Sequence, residues 1–96
     1  MKIELTKAIT YQGKEYKKLE FDIEGLTGAQ LIKARAFVNN GNTFNMDALT
    51  PQLSMEYQAR VAAESAGVPY EVVVALPAKK FMQVANAVRD FLIEQA

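Results

Sequence analysis

The sequence predicts a mainly helical α+β fold, in which an N-terminal β-hairpin precedes three to four helices packed as a small bundle. Two observations predict this fold. The first two dozen residues alternate apolar and polar side chains, as strands with one buried face do. The rest of the chain has helical apolar spacing, with proline and glycine at the predicted helix ends. With 96 residues, 50% of them hydrophobic, the chain suits one domain, residues 1–96, with a modest core.

Residues 1–24 are predicted to form the hairpin, around the turn sequence QGKE. Apolar residues occupy alternate positions in both halves, at Ile3, Leu5, Ile9, Tyr11, Leu19, Phe21 and Ile23. Lys7 and Tyr16 break the alternation, which indicates a bulge or a register shift near the turn. Because an isolated hairpin is marginally stable in water, this one must lie on the helices or pair with another chain.

Capping and breaking residues predict three longer helices. Thr27 and Gln30 have the spacing of a capping box, in which the hydroxyl and the amide each satisfy a backbone N–H group at the helix start. Pro51 suits the first position of a second helix, and Gly67 suits its end because glycine tolerates the left-handed conformation. Proline also precedes the last helix. The three helices are predicted over residues 27–40, 51–66 and 77–95.

The segment VPYEVVVALP is compatible with two secondary structures. Its three β-branched valines favour a strand. However, only seven residues separate Pro69 from Pro77, and a central strand would need partners on two sides. Pro69 can open a helix, Glu71 would sit favourably in the positive first turn, and Pro77 would force a break before the next helix. We therefore predict a short helical turn over residues 69–75.

The predicted helices carry more apolar surface than a domain of this size easily covers. In the last helix one stripe contains Phe81, Val84, Ala85, Val88, Phe91 and Leu92. Met82 and Ile93 lie beside that stripe and widen the apolar arc to roughly 200°, about twice what a one-sided surface helix needs. The first two helices are also apolar on two sides. This surplus predicts a homo-oligomer or a helix-binding surface; the alternative is that the hairpin and the loop after the first helix cover these faces.

Five residues are our candidate partner-binding contacts. They are apolar side chains on the widened helix faces or in the polar loop NNGNTFNMDAL, namely Phe44, Met46, Met55, Met82 and Ile93. Methionine is flexible and polarizable, which suits variable helical partners. The alternative for each methionine is that it fills a gap in the core.

The composition disfavours catalysis and bound cofactors. The chain has no cysteine and no histidine, so it lacks thiolate nucleophiles, the commonest general base and the commonest transition-metal ligands. Asp22 and Glu24 could bind a cation as a pair, but we interpret them as a solvated strand edge instead. We expect no enzyme activity, no cofactor, no metal and no small-molecule substrate. The N-terminus lacks a secretory apolar core and no run is long enough to span a membrane, so we expect a soluble, intracellular protein.

A small helix-turn-helix DNA-binding regulator is the main alternative. A helix that ends at Gly67, a short turn and a last helix with base-reading side chains fit that order. These side chains are Lys79, Lys80, Gln83, Asn86 and Arg89. Asp90 and Glu94 interrupt them, and the 11 basic and 11 acidic residues cancel. A nucleic-acid partner is therefore disfavoured.

Both ends of the chain resemble one known family. MKIELTKAITYQGKEYKKLEFD resembles the N-terminal hairpin of small tail assembly chaperones from long-tailed bacteriophages and prophages. AGVPYEVVVALPAKKFMQVANAVRDFL resembles that family's ending, in which a helix stops at glycine, a proline begins a short acidic turn and a proline-led helix follows. The inward positions of that helix are Phe81, Val84, Val88 and Phe91. The resemblance spans nearly the whole chain except NNGNTFNMDALT, and the family has no active-site residues to carry over.

The resemblance implies a mainly helical fold with a small β element, and it supports the helical turn over residues 69–75. It also implies that the protein binds the tape measure protein, keeps that long, aggregation-prone helical chain soluble, and helps to recruit tail tube subunits. Such a protein would act in the cytoplasm of the bacterial host and be absent from the mature virion. A structural tail subunit is a further alternative, and it would remain in the particle.

Overall fold

An antiparallel hairpin and four helices make up the part of the chain that the computed structural model describes, residues 1–39 and 55–93. The elements are β1 (Lys2–Tyr11), β2 (Lys14–Glu20), a 3-10 turn (Ile23–Gly25), α1 (Gly28–Asn39), α2 (Met55–Ala66), α3 (Tyr70–Val74) and α4 (Ala78–Ile93). The predicted mainly helical α+β fold is confirmed. The predicted start of the second helix and the loop before it lie outside the described residues.

The hairpin turns at two residues and shifts register along β1. Gln12 and Gly13 have φ values of 51° and 80°, and positive φ at both central residues is what a type I′ hairpin turn requires. Glu4 pairs with Lys18 and Ile9 pairs with Tyr16, so β1 contains extra residues between these pairs. The expected irregularity therefore exists, and Lys7 lies within it.

The strands end earlier than the alternation of apolar residues suggests. The ladder closes at Phe21, whose N–H donates to the Met1 carbonyl at 2.7 Å. The next N–H, that of Asp22, donates to the carbonyl of Ser65 in α2 at 3.1 Å. Ile23 is buried as the alternation predicts, but it lies in the 3-10 turn because the chain has left the hairpin and packs onto α2.

The capping box at the start of α1 is present. The Thr27 N–H donates to Gln30 Oε1 at 2.9 Å, and the Gln30 N–H donates to Thr27 Oγ1 at 3.4 Å. The helix packs onto α2 through Ala34, which is buried, and through Leu31, which is half-buried. The side of α1 that carries Leu31 and Ala34 therefore lies against the core.

The second helix is the centre of the fold. It contacts α1, α3, α4, β2 and the 3-10 turn, and its buried residues are Tyr57, Gln58, Ala59, Val61, Ala62 and Ala63. Apart from Met55 at its start, the apolar residues on both sides of α2 are therefore buried or half-buried within the protein, mainly by neighbouring helices. For this helix the surplus of apolar surface does not require a partner.

Helix α2 ends as the glycine predicts. Gly67 has φ of 66°, and the N–H of Val68 donates back to the carbonyl of Ala63 at 3.2 Å. This geometry is a Schellman motif, which satisfies a carbonyl at the helix end. It turns the chain sharply into α3.

The valine run is helical. Pro69 is the N-cap of α3, and its carbonyl accepts the N–H of Val72 at 3.0 Å. Val72 and Val73 are fully buried whereas Val74 is exposed. Burial of each inner valine contributes on the order of 2 kcal/mol, so tertiary packing overrides the β propensity of the run. Pro77 then opens α4, with its carbonyl accepting the N–H of Phe81 at 2.8 Å.

Candidate partner-binding surfaces

Helix α4 has an anchored side and an outer side. Val84, Ala85 and Val88 are buried in the core, and the remaining members of the predicted stripe are half-buried against it, namely Phe81, Phe91 and Leu92. Met82 and Ile93 are 41% and 47% exposed. They are separated by three helical turns, so they lie on the same side of α4 about 16 Å apart. We call Met82 and Ile93 the α4 outer stripe.

The other predicted contacts are dispersed. Met55 is 50% exposed at the start of α2, on a different helix from the α4 outer stripe. Phe44 and Met46 lie outside the described residues. The structure therefore aligns two of the five candidate residues, leaves a third exposed elsewhere, and says nothing of the remaining two.

An exposed isoleucine on α1 was not among the predicted contacts. Ile32 is 72% exposed, the largest exposed fraction of the large apolar residues described. Ala29 and Ala36 are exposed on the same side of the helix. In the sequence, Ala29, Ile32 and Ala36 form the second apolar side of the first helix, and this spacing is the signal that could have identified the exposed face. At its edge, Lys33 Nζ lies 3.4 Å from Glu64 Oε2, which ties α1 to α2.

A groove of about 550 Å³ lies between the end of the hairpin, the 3-10 turn and α4. Its apolar lining is buried or half-buried and comprises Phe21, Ile23, Ala87 and Phe91. Its carboxylates are exposed and belong to Asp22, Glu24 and Asp90. The lining also includes Met1. We call this site the acidic groove; its apolar α4 residues, Ala87 and Phe91, lie on the opposite flank of α4 from the α4 outer stripe.

A second cavity, of about 300 Å³, is lined by residues of α1, α2, α3 and the turn between the last two. Arg60 stacks on Tyr70 at its edge, with Cζ 3.7 Å from the ring centroid. Burial raises the pKa of Tyr70 above its usual value. The charged lining balances Lys33 and Arg60 against Glu64 and Glu71, so this cavity favours neither sign of charge.

The hairpin is also tied to α3 by a polar contact. Partial burial, the negative charge of Glu71 and a hydrogen bond to its carboxylate together raise the pKa of the Tyr11 hydroxyl. These two side chains lie where β1 contacts α3. This contact stabilises the fold and does not create a reactive group.

The arrangement does not favour the helix-turn-helix alternative. Helix α3 lies between α2 and α4, where a DNA-binding motif of that type has a tight turn. The base-reading side chains of α4 share its wet side with Asp90, whose Oδ1 lies 3.4 Å from Arg89 Nη2. An acidic side chain among them weakens the attraction to phosphate.

Within residues 1–39 and 55–93, no group of three or more acidic side chains is placed to hold a metal ion. The helices of residues 1–39 and 55–93 are also too short or too polar to cross a membrane.

Comparison with known protein families gives a match over most of the chain. Residues 2–93 match the family described as phage tail assembly chaperone proteins, E, or 41 or 14. Neither the curated proteins nor the solved structures gave a match. A family of assembly chaperones favours a non-enzymatic role in building the phage tail. Because the match covers nearly the whole chain, this protein belongs to the phage tail assembly chaperone family.

Proposed function

We propose that this chaperone binds the tape measure protein and keeps it soluble during tail assembly, through hydrophobic helix–helix contacts made by the α4 outer stripe. One observation supports the proposal most directly. Met82 and Ile93 are both exposed, and they lie on one side of a helix that is anchored in the core. Membership of the tail assembly chaperone family supports the same role.

The exposed parts of the α4 outer stripe can supply binding free energy. Covering the exposed part of each side chain with a partner helix contributes about 1 kcal/mol, and two such side chains provide anchor points along a helix-in-groove contact. Val84 and Val88 are fully buried on the opposite side, so α4 presents the stripe on a rigid support. A weak, adaptable contact of this kind suits a chaperone that must later release its partner.

Met55, Phe44 and Met46 extend the proposed contact. Met55 is half-exposed at the start of α2. Methionine adapts its shape to different partners, which suits a long helical ligand that presents many sequences. We propose that these three residues engage the tape measure protein beyond the α4 outer stripe.

The proposal extends to the protein's other partners and its location. The tail tube protein is a second partner during assembly, and the chaperone associates with copies of itself through exposed apolar helix faces. It acts in the cytoplasm of the bacterial host and is absent from the mature virion. Mass spectrometry of purified particles tests the last point, since a structural tail subunit would be recovered in them.

Co-expression with the tape measure protein of the same phage tests the proposal. The wild-type chaperone is expected to keep the tape measure protein soluble and to co-purify with it. Met82→Ser with Ile93→Ser is expected to reduce both the soluble fraction and the recovered complex. Val74→Ser is the matched control, because Val74 is 44% exposed on α3 and lies outside the stripe. A tape measure protein that precipitates beside soluble wild-type chaperone, or an equal loss with the control, would contradict the proposal.

A further inference from the structure

The acidic groove has a partly accessible apolar wall, because Ala87 and Phe91 are half-buried whereas Phe21 and Ile23 are buried beneath it. Phe21 and Ile23 approach it from the hairpin end and the 3-10 turn, while Ala87 and Phe91 approach it from α4. Its volume of about 550 Å³ falls within the range of protein ligand sites. That volume accommodates one large apolar side chain together with the aliphatic stems of its neighbours.

The backbone at the end of the hairpin and in the 3-10 turn makes several hydrogen bonds within the protein. Met1 and Phe21 exchange both backbone bonds, at 2.7 and 3.0 Å. The carbonyls of Asp22 and Ile23 accept N–H groups of the following turn, both at 3.2 Å. An added strand needs free N–H and C=O groups, whereas a helix satisfies its own. A helical ligand that docks through side chains therefore fits this site better than an extended peptide.

The charges around the groove are negative in excess. Asp22, Glu24 and Asp90 line it together with Met1. The Met1 amine lies 3.4 Å from Glu20, and Arg89 lies 3.4 Å from Asp90, so Asp22 and Glu24 supply the excess negative charge. The three lining carboxylates do not form a group that could hold a metal ion. A ligand matches these carboxylates if it carries positive charges several angstroms apart, as lysine or arginine side chains provide.

We propose that the acidic groove docks an amphipathic helix of a partner protein, which inserts one apolar side chain between flanking lysine or arginine residues. The proposal rests on the proposed function, in which the ligand is a helical protein segment, and it adds a second docking site on the flank of α4 away from the α4 outer stripe. The apolar anchor supplies affinity, and the charges around it select the partner and its register.

Designed helical peptides test this site directly. One series carries a central leucine with lysines three or four positions away on both sides; matched series replace the lysines with glutamates or the leucine with alanine. Binding to the full chain is measured by fluorescence anisotropy at low and high salt. We expect the leucine–lysine peptides to bind most tightly, with weakening at high salt. Equal binding of the glutamate series, or no binding by any lysine peptide, would overturn the proposal.

Variants of the protein locate the binding. Glu24→Gln with Asp90→Asn should weaken the lysine peptides by about two- to fivefold for each carboxylate removed. Glu4→Gln with Glu15→Gln changes the net charge equally on the exposed hairpin and should leave binding unchanged. Glu24→Lys with Asp90→Lys should reverse the preference toward the glutamate peptides. All these side chains are exposed, so the variants should fold, and circular dichroism checks this. Equal effects at the hairpin and the groove would contradict the proposal.

The same variants separate this inference from the proposed function. If Glu24→Gln with Asp90→Asn weakens co-purification of the tape measure protein, both ideas hold. If the tape measure protein is bound and the groove variants bind it as the wild type does, the groove is not a site for it, while the proposed function stands. If the tape measure protein is never bound, the proposed function fails, and the inference falls with it.

Discussion

Arg60 lies over the ring of Tyr70, with its guanidinium carbon 3.7 Å from the ring centroid. The stack joins α2 to the first residue of α3 across the tight turn at Gly67. A planar cation on a partly buried aromatic ring is favourable because both groups have lost part of their water. It therefore helps to hold α3 in the position from which Val72 and Val73 enter the core.

Replacement of Arg60 should loosen this corner of the fold. We expect Arg60→Ala to lower the free energy of unfolding by about 1–2 kcal/mol, whereas Arg60→Lys should lower it less, since it keeps the charge but loses the planar stack. Urea denaturation followed by circular dichroism measures the change. Arg89→Ala is the control, because Arg89 lies on the outer surface. An Arg60→Ala variant as stable as the control would show that the stack contributes nothing.

The inner valines of α3 should be among the costly positions. Val72→Ala removes two methyl groups from a fully buried site and leaves a cavity, so we expect a loss of about 2 kcal/mol in unfolding free energy. Val74→Ala on the exposed side should change it by less than about 0.5 kcal/mol. The contrast is specific to a helical turn, since a doubly covered strand would make all three valines costly. Similar losses at both positions would contradict the assignment.

The capping box should contribute measurably to α1. Thr27→Ala removes the side-chain acceptor of the Gln30 N–H group, and we expect a loss of about 1 kcal/mol. Thr27→Ser keeps the hydroxyl and should retain most of the stability. Thermal or urea unfolding compares the two variants. If serine and alanine are equally destabilising, the hydroxyl is not the stabilising group.

Stability at alkaline pH should depend on Tyr57. Burial raises the pKa of this phenol above its usual value of 10.0, and nearby Arg35 opposes the shift; the hydroxyl also donates to the Leu31 carbonyl at 3.4 Å. A raised pKa in the folded state gives stability that is present below pH 10 and is lost as the pH rises through the folded-state pKa.

Removal of the Tyr57 hydroxyl tests this dependence. Tyr57→Phe should be less stable than the wild type at neutral pH, because it leaves the carbonyl without this donor. Its stability should fall less steeply between about pH 9 and pH 11. Urea midpoints across this range measure the slope. Parallel curves for the two proteins would contradict the role of Tyr57.

The sequence predicted those parts of the fold that local signals determine. The Thr27–Gln30 cap, the end at Gly67 and the helical valine run each depend on a few neighbouring residues. The predicted end of the hairpin at residue 24 was less accurate. Strand β2 ends at Glu20, because the hydrogen bond from the Asp22 N–H to the Ser65 carbonyl is a tertiary contact that alternation does not reveal. The loop over residues 42–50 lies outside the described part of the chain.

The candidate surfaces were predictable only in part. Met82 and Ile93 follow from helical spacing, since an apolar arc wider than the core contact must leave some residues exposed. The sequence could not show whether Ile32 is exposed or buried, because α2 also has two apolar sides and is covered on both except at Met55. The acidic groove required the structure, since it brings Glu24 and Asp90 together from distant parts of the chain.

Site-specific crosslinking in cells tests the central claim most directly. A photoreactive benzoylphenylalanine is placed at Met82, at Ile93 or, as the control, at Val74, and the chaperone is co-expressed with its tape measure protein. The account predicts that light joins the tape measure protein to the variants at Met82 and Ile93, and to the Val74 variant far less. Equal crosslinking from all three positions, or none from the α4 outer stripe while the two proteins still co-purify, would contradict it.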